Sequence, residues 1–394
     1  MRRTHRAPLL VSWLLALAIV PAAWTQARPA AAPYFPDAGR WERRSPDQQG
    51  IDPARLGAAV AYIRAAENPQ PRDLAEAHWL SWGREPNDAP VGPFTTRGEV
   101  SGLVIRNGYI VAEWGDTKAV EMTFSITKSF LSSTIGLMWD RGYLPDLHAP
   151  VGQLVRTGHF DSPHNRQITW DHLLRQTSDW EGTLWSKPDW VDRPGQDLAA
   201  YRNRPRDEPG TVYKYNDVRV NLLAFAALNV LRQPLPDFLR EHLMEPIGAS
   251  PTWRWHGYDN SWVEIDGQRI QSMSGGGHWG GGMFISAEDL GRFGYLTMRQ
   301  GKWKDRQLIS REWLAMAETP GPANQGYGFM NFFLNTSGEE IPGAPRTAYT
   351  HRGAGNNIVY VDRENDLVIV MRWVRGNAIN PFIAQVLGAL TTPR

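Results

Sequence analysis

The placement of β-rich runs at the two ends of the chain constrains its fold more than any other feature. Gly102-Leu103-Val104-Ile105-Arg106 and Tyr109-Ile110-Val111-Ala112-Glu113-Trp114 flank Asn107-Gly108. Two such runs joined by Asn-Gly predict a tight hairpin. A second pair, Asn357 to Asp362 and Leu367 to Val374, flanks Arg363-Glu364-Asn365-Asp366 and predicts another. Helical patterns fill the middle. One antiparallel sheet built from both chain ends, flanked by helices and interrupted by an inserted helical subdomain, satisfies this order. The class is α/β (α+β). The sheet part is expected at about 51–122 and 283–394, and the helical subdomain at about 123–282. No internal repeat is present.

Several helix starts carry their own caps. Asp52-Pro53-Ala54-Arg55-Leu56 has a capping aspartate and an early proline, with apolar residues continuing to Ile63. Ile168 to Leu174 and Ser286-Ala287-Glu288-Asp289-Leu290 read the same way, Leu222 to Leu231 is an apolar helix, and a last helix is expected over Phe382 to Leu390. Phe124-Ser125-Ile126-Thr127-Lys128 precedes apolar residues at Phe130, Leu131, Ile135, Met138 and Trp139, with Gly142 where such a helix stops. Ser125 and Lys128 are then i and i+3 on one helical face. A serine hydroxyl needs a base to become a nucleophile, and a lysine of lowered pKa is such a base. At a helix start the Ser125 N–H is free to stabilise an oxyanion.

Composition narrows the chemistry. With 42% hydrophobic and 21% charged residues among 394, the chain has the makeup of a globular protein. A net charge of +1 gives no reason to expect nucleic acid or an anionic membrane surface as partner. The absence of cysteine excludes disulfides, thiolate catalysis and Cys-ligated metals. Arg2, Arg3 and Arg6 precede an apolar run from Leu9 to Val20 and small residues at Ala22, Ala23 and Ala27. This is the pattern of a secretory signal peptide over 1–27, with Thr25-Gln26-Ala27 the preferred cleavage site and Pro21-Ala22-Ala23 the second, leaving no stable membrane span. Residues 28–50, rich in Pro and Ala at their start, are expected to form a linker. The expected location is therefore periplasmic or secreted.

Two more stretches complete a pattern. Pro209-Gly210-Thr211-Val212-Tyr213-Lys214-Tyr215-Asn216-Asp217 precedes the apolar helix, and Thr350-His351-Arg352-Gly353-Ala354-Gly355 precedes the terminal hairpin. With Ser125-Ile126-Thr127-Lys128 they resemble, in order and spacing, the three motifs of the serine β-lactamase and penicillin-binding-protein superfamily. The similarity is greatest to its class C β-lactamase-like branch, which holds esterases, D-amino-acid peptidases and 6-aminohexanoate-dimer hydrolases. It extends over roughly Gly50 to Leu390.

The resemblance implies a β-lactamase-like fold and a serine hydrolase that needs no cofactor. It implies Ser125 as the acylated nucleophile, Lys128 and Tyr215 as general acid and base, and the backbone N–H groups of Ser125 and Ala354 as the oxyanion hole. Asp217, His351, Gly353 and Trp180 are implied to face the substrate. Two departures stand out. Asp217 replaces an expected Asn; its charge is expected to keep Lys128 protonated and make Tyr215 the working base. His351 replaces the Lys of the third motif and removes a cation that would grip a substrate carboxylate. An ester or small amide is thus expected as substrate, acting as the only partner. The alternatives are a D-amino-acid peptidase or β-lactamase on cell-wall-like substrates, and a penicillin-receptor-like sensor that acylates without turnover. Nothing in the sequence sets an oligomeric state.

Other features have plainer readings. Tyr213 is expected to pack. Trp180, Trp185 and Trp190 fit either a cleft wall or subdomain packing. Gly275 to Gly282 lacks the Gly-Lys-Ser/Thr ending of a phosphate loop and is read as flexible backbone. His148, His159, His164 and His172 match no metal-ligand spacing, so no metal is expected.

Overall fold

A computed structural model describes residues 33–391, together with Met1. The expected signal peptide, apart from Met1, and the first residues of the expected linker lie outside the described residues. Helix α1 (Pro53–Arg64) begins where the Asp52 carboxylate accepts from the Ala54 and Arg55 N–H groups, and Asp73 caps α2 (Leu74–Trp82) in the same way. Strands β1 (Ser101–Arg106) and β2 (Tyr109–Trp114) form the expected hairpin, with Asn107 at φ 53° and Gly108 at φ 89°. The short β3 (Glu121–Met122) leads to α3 (Thr127–Asp140).

The middle contains α4 (Trp170–Leu174), entered through a Thr169–His172 capping box, then β4 (Thr183–Leu184), β5 (Lys187–Pro188) and α5 (Leu198–Asn203). The apolar α6 (Asp217–Leu231) and α7 (Leu235–Leu239) follow. The sequence predicts a helical subdomain over about 123–282, but this middle also carries strands. β6 (Arg254–Ile265) and β7 (Gln268–Met273) form a long hairpin about Asp266 at φ 54° and Gly267 at φ 74°. An Asp-Gly pair between β-rich runs is itself a hairpin signal.

After β8 (Gly282–Ile285) come α8 (Ala287–Met298), the small pair β9 (Lys302–Trp303) and β10 (Arg306–Gln307), and α9 (Arg311–Ala317). The chain closes with β11 (Phe333–Leu334), β12 (Tyr349–Gly353), β13 (Asn357–Asp362), β14 (Leu367–Arg372) and α10 (Ile379–Gly388).

The main sheet has the order β11-β12-β13-β14-β1-β2 and is antiparallel throughout, so both chain ends build it as expected. Its apolar runs look continuous because both faces are covered. Val359, Val361, Val368 and Val370 join the core that contains α3, α6 and α8. The alternating Ile358, Tyr360, Ile369 and Met371 join a second core with α1 and α10. Each such fully buried aliphatic side chain contributes roughly 1.5–3 kcal/mol relative to exposure. A smaller sheet, β3-β8-β6-β7, lies beside the first. Arg372, fully buried, ties the two by donating to Ile285 O and Met122 O, each at 2.9 Å.

The described part of the stretch expected as a linker packs on this body. Trp41 is buried and donates to Gly108 O at 2.8 Å, and Tyr34 stacks on Tyr109 at 4.2 Å. Its aromatic residues, rather than its prolines, decide the outcome.

Candidate active site

Ser125 sits on a short 3-10 turn, Phe124–Ile126, that runs directly into α3. The turn is sharp: Phe124, a bulky residue, has φ 50°, a conformation that costs about 1–3 kcal/mol and persists only where surroundings enforce it. Here Thr123 Oγ1 donates to Met283 O at 3.0 Å, and Thr127 Oγ1 accepts from Met283 N at 2.9 Å. Strand β8 therefore clamps the turn on both sides of Ser125.

One helical turn on, Lys128 Nζ lies 2.8 Å from Ser125 Oγ and 2.8 Å from Asp217 Oδ1. The Lys128 and Asp217 side chains are 0% and 1% exposed. Asp217 is the first residue of α6, whose Asn216 cap accepts from Arg219 N at 3.1 Å. Burial pushes the Asp217 carboxyl up, but Lys128 and Arg193 outweigh it and hold the group well below the usual carboxylate range. Burial is also the largest influence on Lys128, and it pulls the ammonium below its ordinary value against the attraction of Asp217.

The glycine-rich run has a more definite part than flexibility. A Cβ on Gly276 would lie 1.7 Å from Asp217 Oδ1 and 2.2 Å from Lys128 Nζ. Only a residue without a side chain lets the backbone close over this pair.

Tyr215 comes to the same place. Lys128 Nζ is 4.6 Å from its ring centroid, and its hydroxyl donates to Asn331 Oδ1 at 3.3 Å. Burial, reinforced by the Asp217 charge, pushes the phenol up, with Arg193 and a hydrogen bond to Ser125 opposing. These surroundings work against the expectation that Tyr215 is the base that takes the first proton.

Gly353, the last residue of β12, meets the nucleophile turn edge-on: a Cβ there would lie 1.9 Å from Thr123 O and 3.4 Å from Ile126 N. The following Ala354 is thereby brought beside the Ser125 turn, and it packs with Phe124 and Trp373.

Two expected substrate contacts are placed elsewhere. His351 is fully buried behind α3, its Nδ1 2.9 Å from Ser129 Oγ, among Phe293, Phe332 and Tyr349. Burial drops its pKa to about 3, so it is neutral. Trp180 is 1% exposed and donates from its indole to His159 O at 2.8 Å. It lines an open cavity of about 830 Å³ with Asp189, Trp190 and Arg206, to which Ser125, Lys128 and Tyr215 do not contribute. Tyr213 packs on Tyr327 at 5.0 Å, as expected.

Other residues complete the site without having been read from sequence. Asn331, at φ 68°, links the Tyr215 hydroxyl to Arg352 O of β12. Arg193 donates to Asp217 Oδ2 at 3.0 Å and also bonds Asp192. His278 Nε2 lies 2.9 Å from Glu85 Oε2, while its Nδ1 is 3.9 Å from Asp192 Oδ1. Glu85, Asp192 and His278 have metal-ligating chemistry and are close together. The two carboxylates face opposite ring nitrogens, and Asp192 is committed to Arg193 and to the Asp217 N–H. One ligand atom from each of the three lies within 4.8 Å of the others, and the carboxylates are tied into the hydrogen bonds around Arg193 and Asp217.

A serine on a strained turn, a buried lysine and a tyrosine over a two-part antiparallel fold define a β-lactamase-like serine hydrolase. The Beta-lactamase family model matches residues 97–376, and the chain belongs to that family. A protein described as a D-alanyl-D-alanine carboxypeptidase from Escherichia coli O157:H7 is 24% identical over 212 residues, 45% of this chain. The match spans about half of that curated relative, 48% of its length. Among solved structures, a protein described as a 6-aminohexanoate-dimer hydrolase from Bacillus anthracis is similar with a TM-score of 0.53 and 16% identity, covering 74% of this chain and 78% of its own. A family VIII carboxylesterase is similar with a TM-score of 0.55 and 15% identity, covering 87% and 99%.

Proposed function

We propose that the protein is an exported hydrolase that cleaves an ester or small amide through an acyl-enzyme on Ser125, with no substrate carboxylate required. The observation that carries this is the 2.8 Å contact between Lys128 Nζ and Ser125 Oγ in a buried site. Lys128, pulled by burial towards its neutral form, takes the Ser125 proton as Oγ attacks the carbonyl carbon. The Ser125 and Ala354 N–H groups receive the oxyanion, each such donor worth about 3–4 kcal/mol of barrier. Tyr215, kept protonated by burial, gives its proton to the leaving group. The resulting phenolate then lies against the newly charged Lys128 and against Arg193, whose guanidinium is 5.1 Å from its ring. It takes a proton from the deacylating water, and Lys128 returns its own to Ser125 as the acid leaves.

Two features support a neutral substrate. His351 carries no charge and faces the core, and the Arg193 guanidinium beside the site is engaged by Asp217 and Asp192. A small cavity of about 70 Å³ beside the nucleophile turn, lined by Leu74, Trp82, Phe124, Ala354 and Trp373 and also by the polar Asn68, Gln70, His78, Ser81 and Arg97, has room for a short acyl group. Intact mass after mixing with p-nitrophenyl acetate tests the reading. The expected result is a transient acyl adduct with steady product, absent in Ser125→Ala, and no turnover of a cephalosporin or a D-alanyl-D-alanine peptide. A stable adduct would favour the sensor, and preferred turnover of the peptide the carboxypeptidase. N-terminal sequencing of protein from the cell envelope tests export; a start at Arg28 is expected.

A further inference from the structure

The loop between β5 and α5 delivers Arg193 to the catalytic lysine by an indirect route. The guanidinium NH1 donates to Asp217 Oδ2 at 3.0 Å, while Lys128 holds Oδ1 of the same carboxylate at 2.8 Å. One anion is thus shared between two cations. The arrangement is built and not incidental. Arg193 has φ 50°, its N–H donates to Glu85 Oε1 at 3.2 Å, and its carbonyl accepts from Lys214 Nζ at 2.5 Å. Asp192 binds both the guanidinium and the Asp217 N–H. Glu85 lies ahead of the family match, which begins at residue 97, so the support for this loop also draws on the segment before it.

We propose that Arg193 is a positioning residue that divides the Asp217 carboxylate with Lys128 and so keeps Lys128 able to accept the Ser125 proton. The inference rests on Lys128 being the base. An aspartate alone at this position would bind the ammonium and hold its proton. A second cation on the same carboxylate weakens that grip, and its own charge opposes a positive Lys128. Asp217 and Arg193 act as a matched pair: the negative charge that replaces the usual amide is offset locally. The other groups facing Lys128 are Ser125, Tyr215 and, from the loop after α9, Tyr327; His278 reaches it only through Asp217. The direction of the Lys128 shift agrees, with Arg193 among the influences that lower it.

Two readouts on the full-length mature enzyme test this: kcat/KM for p-nitrophenyl acetate against pH, and the titration of Lys128 followed by NMR of 13C-labelled lysine. Arg193→Met should move the Lys128 titration and the acidic limb of the rate profile up by about one to three pH units. Asp217→Asn should move both down, and the double variant should return them near the wild-type position. Arg193→Lys, which keeps the charge, should stay within about half a unit of wild type on the same scale. A folded Arg193→Met whose Lys128 titration is unmoved overturns the proposal, whatever its activity. A Lys128 titration that moves while the rate profile does not would keep Arg193's influence and instead overturn Lys128 as the base. Should Arg193→Met fail to fold, the Arg193→Gln variant carries the same test.

Discussion

Replacing Gly276 by alanine perturbs the site at its tightest point. The added methyl would lie 1.7 Å from Asp217 Oδ1 and 2.2 Å from Lys128 Nζ, where non-bonded carbon contacts are about 3.5–4.0 Å. Gly276 is not in the left-handed region, so no backbone strain confounds the change. Lys128 has a flexible stem, but Asp217 cannot retreat: it opens α6, and Arg193 and Asp192 fix its carboxylate and its N–H. Either the ion pair separates, at about 3–5 kcal/mol for a broken buried pair, or the glycine run lifts, at about 1–3 kcal/mol for overpacking. The run is the softer of the two. We expect a destabilisation of about 1–3 kcal/mol in urea unfolding. As the lysine is displaced, kcat/KM for p-nitrophenyl acetate should fall at least about 100-fold, the low end of general acid–base catalysis. Gly57 of α1 has nothing within 4 Å of its Cβ position, and Gly57→Ala is the control, neutral or stabilising by about 0.5–1 kcal/mol. A Gly276→Ala enzyme within threefold of wild-type kcat/KM, with an unchanged pH profile, would refute the description of the glycine as the lid of the Lys128–Asp217 pair.

Two other substitutions separate further parts of the reading. Tyr215→Phe removes the proposed acid, so kcat/KM for an ethyl ester should fall by about 100- to 10,000-fold. The loss should be much smaller for a p-nitrophenyl ester, whose leaving group needs no proton; equal losses would argue against the role. His351 is held neutral by burial, with a pKa of about 3 in the fold against 6.5 ordinarily. Its contribution is therefore fully present above pH 6.5 and declines as pH falls towards 3, by about 1.4 kcal/mol per unit. His351→Gln should lose less stability than wild type between pH 7 and pH 4.5 in urea unfolding; parallel losses would place the titration elsewhere.

Local signals made much of this molecule legible. The Asn107-Gly108 turn, the Asp52 and Ser286 caps and the spacing of Ser125 to Lys128 each act within a few residues, and each appears where the chain spells it. The β6–β7 hairpin had its own signal in Asp266-Gly267, weakened by the register shift between Gly257 and Trp262 that breaks the alternation of β6. His351 shows a different limit. Alternation along β12 says that His351 and Arg352 face opposite ways, but not which face meets the substrate. That is decided by α3 and α8, which place Ser129 and Phe293 against the imidazole. Glu85, Arg193 and Asn331 come from separate loops and follow no common spacing. Phe124, Arg193 and Asn331 also adopt positive φ, which a phenylalanine or arginine does not advertise. Only the assembled fold enforces it.

The two departures from the family motifs are best understood together. A lysine in the third motif would add a cation to the site, whereas His351 withdraws charge into the core. An asparagine at position 217 would leave Lys128 unpaired, whereas Asp217 adds an anion that must itself be offset. Arg193 offsets it, and Asp192 in turn balances Arg193. His351 leaves no charge to compensate, whereas removing one partner from the buried Lys128–Asp217 pair would leave a charge uncompensated, a cost of about 3–5 kcal/mol. Taken as a set the two departures yield an electrically balanced site in which Lys128 is paired but not saturated. Under the proposed function such a site does not select an acidic substrate by charge, and the proposed preference for a neutral ester or amide rests on shape. The aromatic and aliphatic side chains of Leu74, Trp82, Phe124 and Trp373 beside Ala354 are the residues in place to supply it.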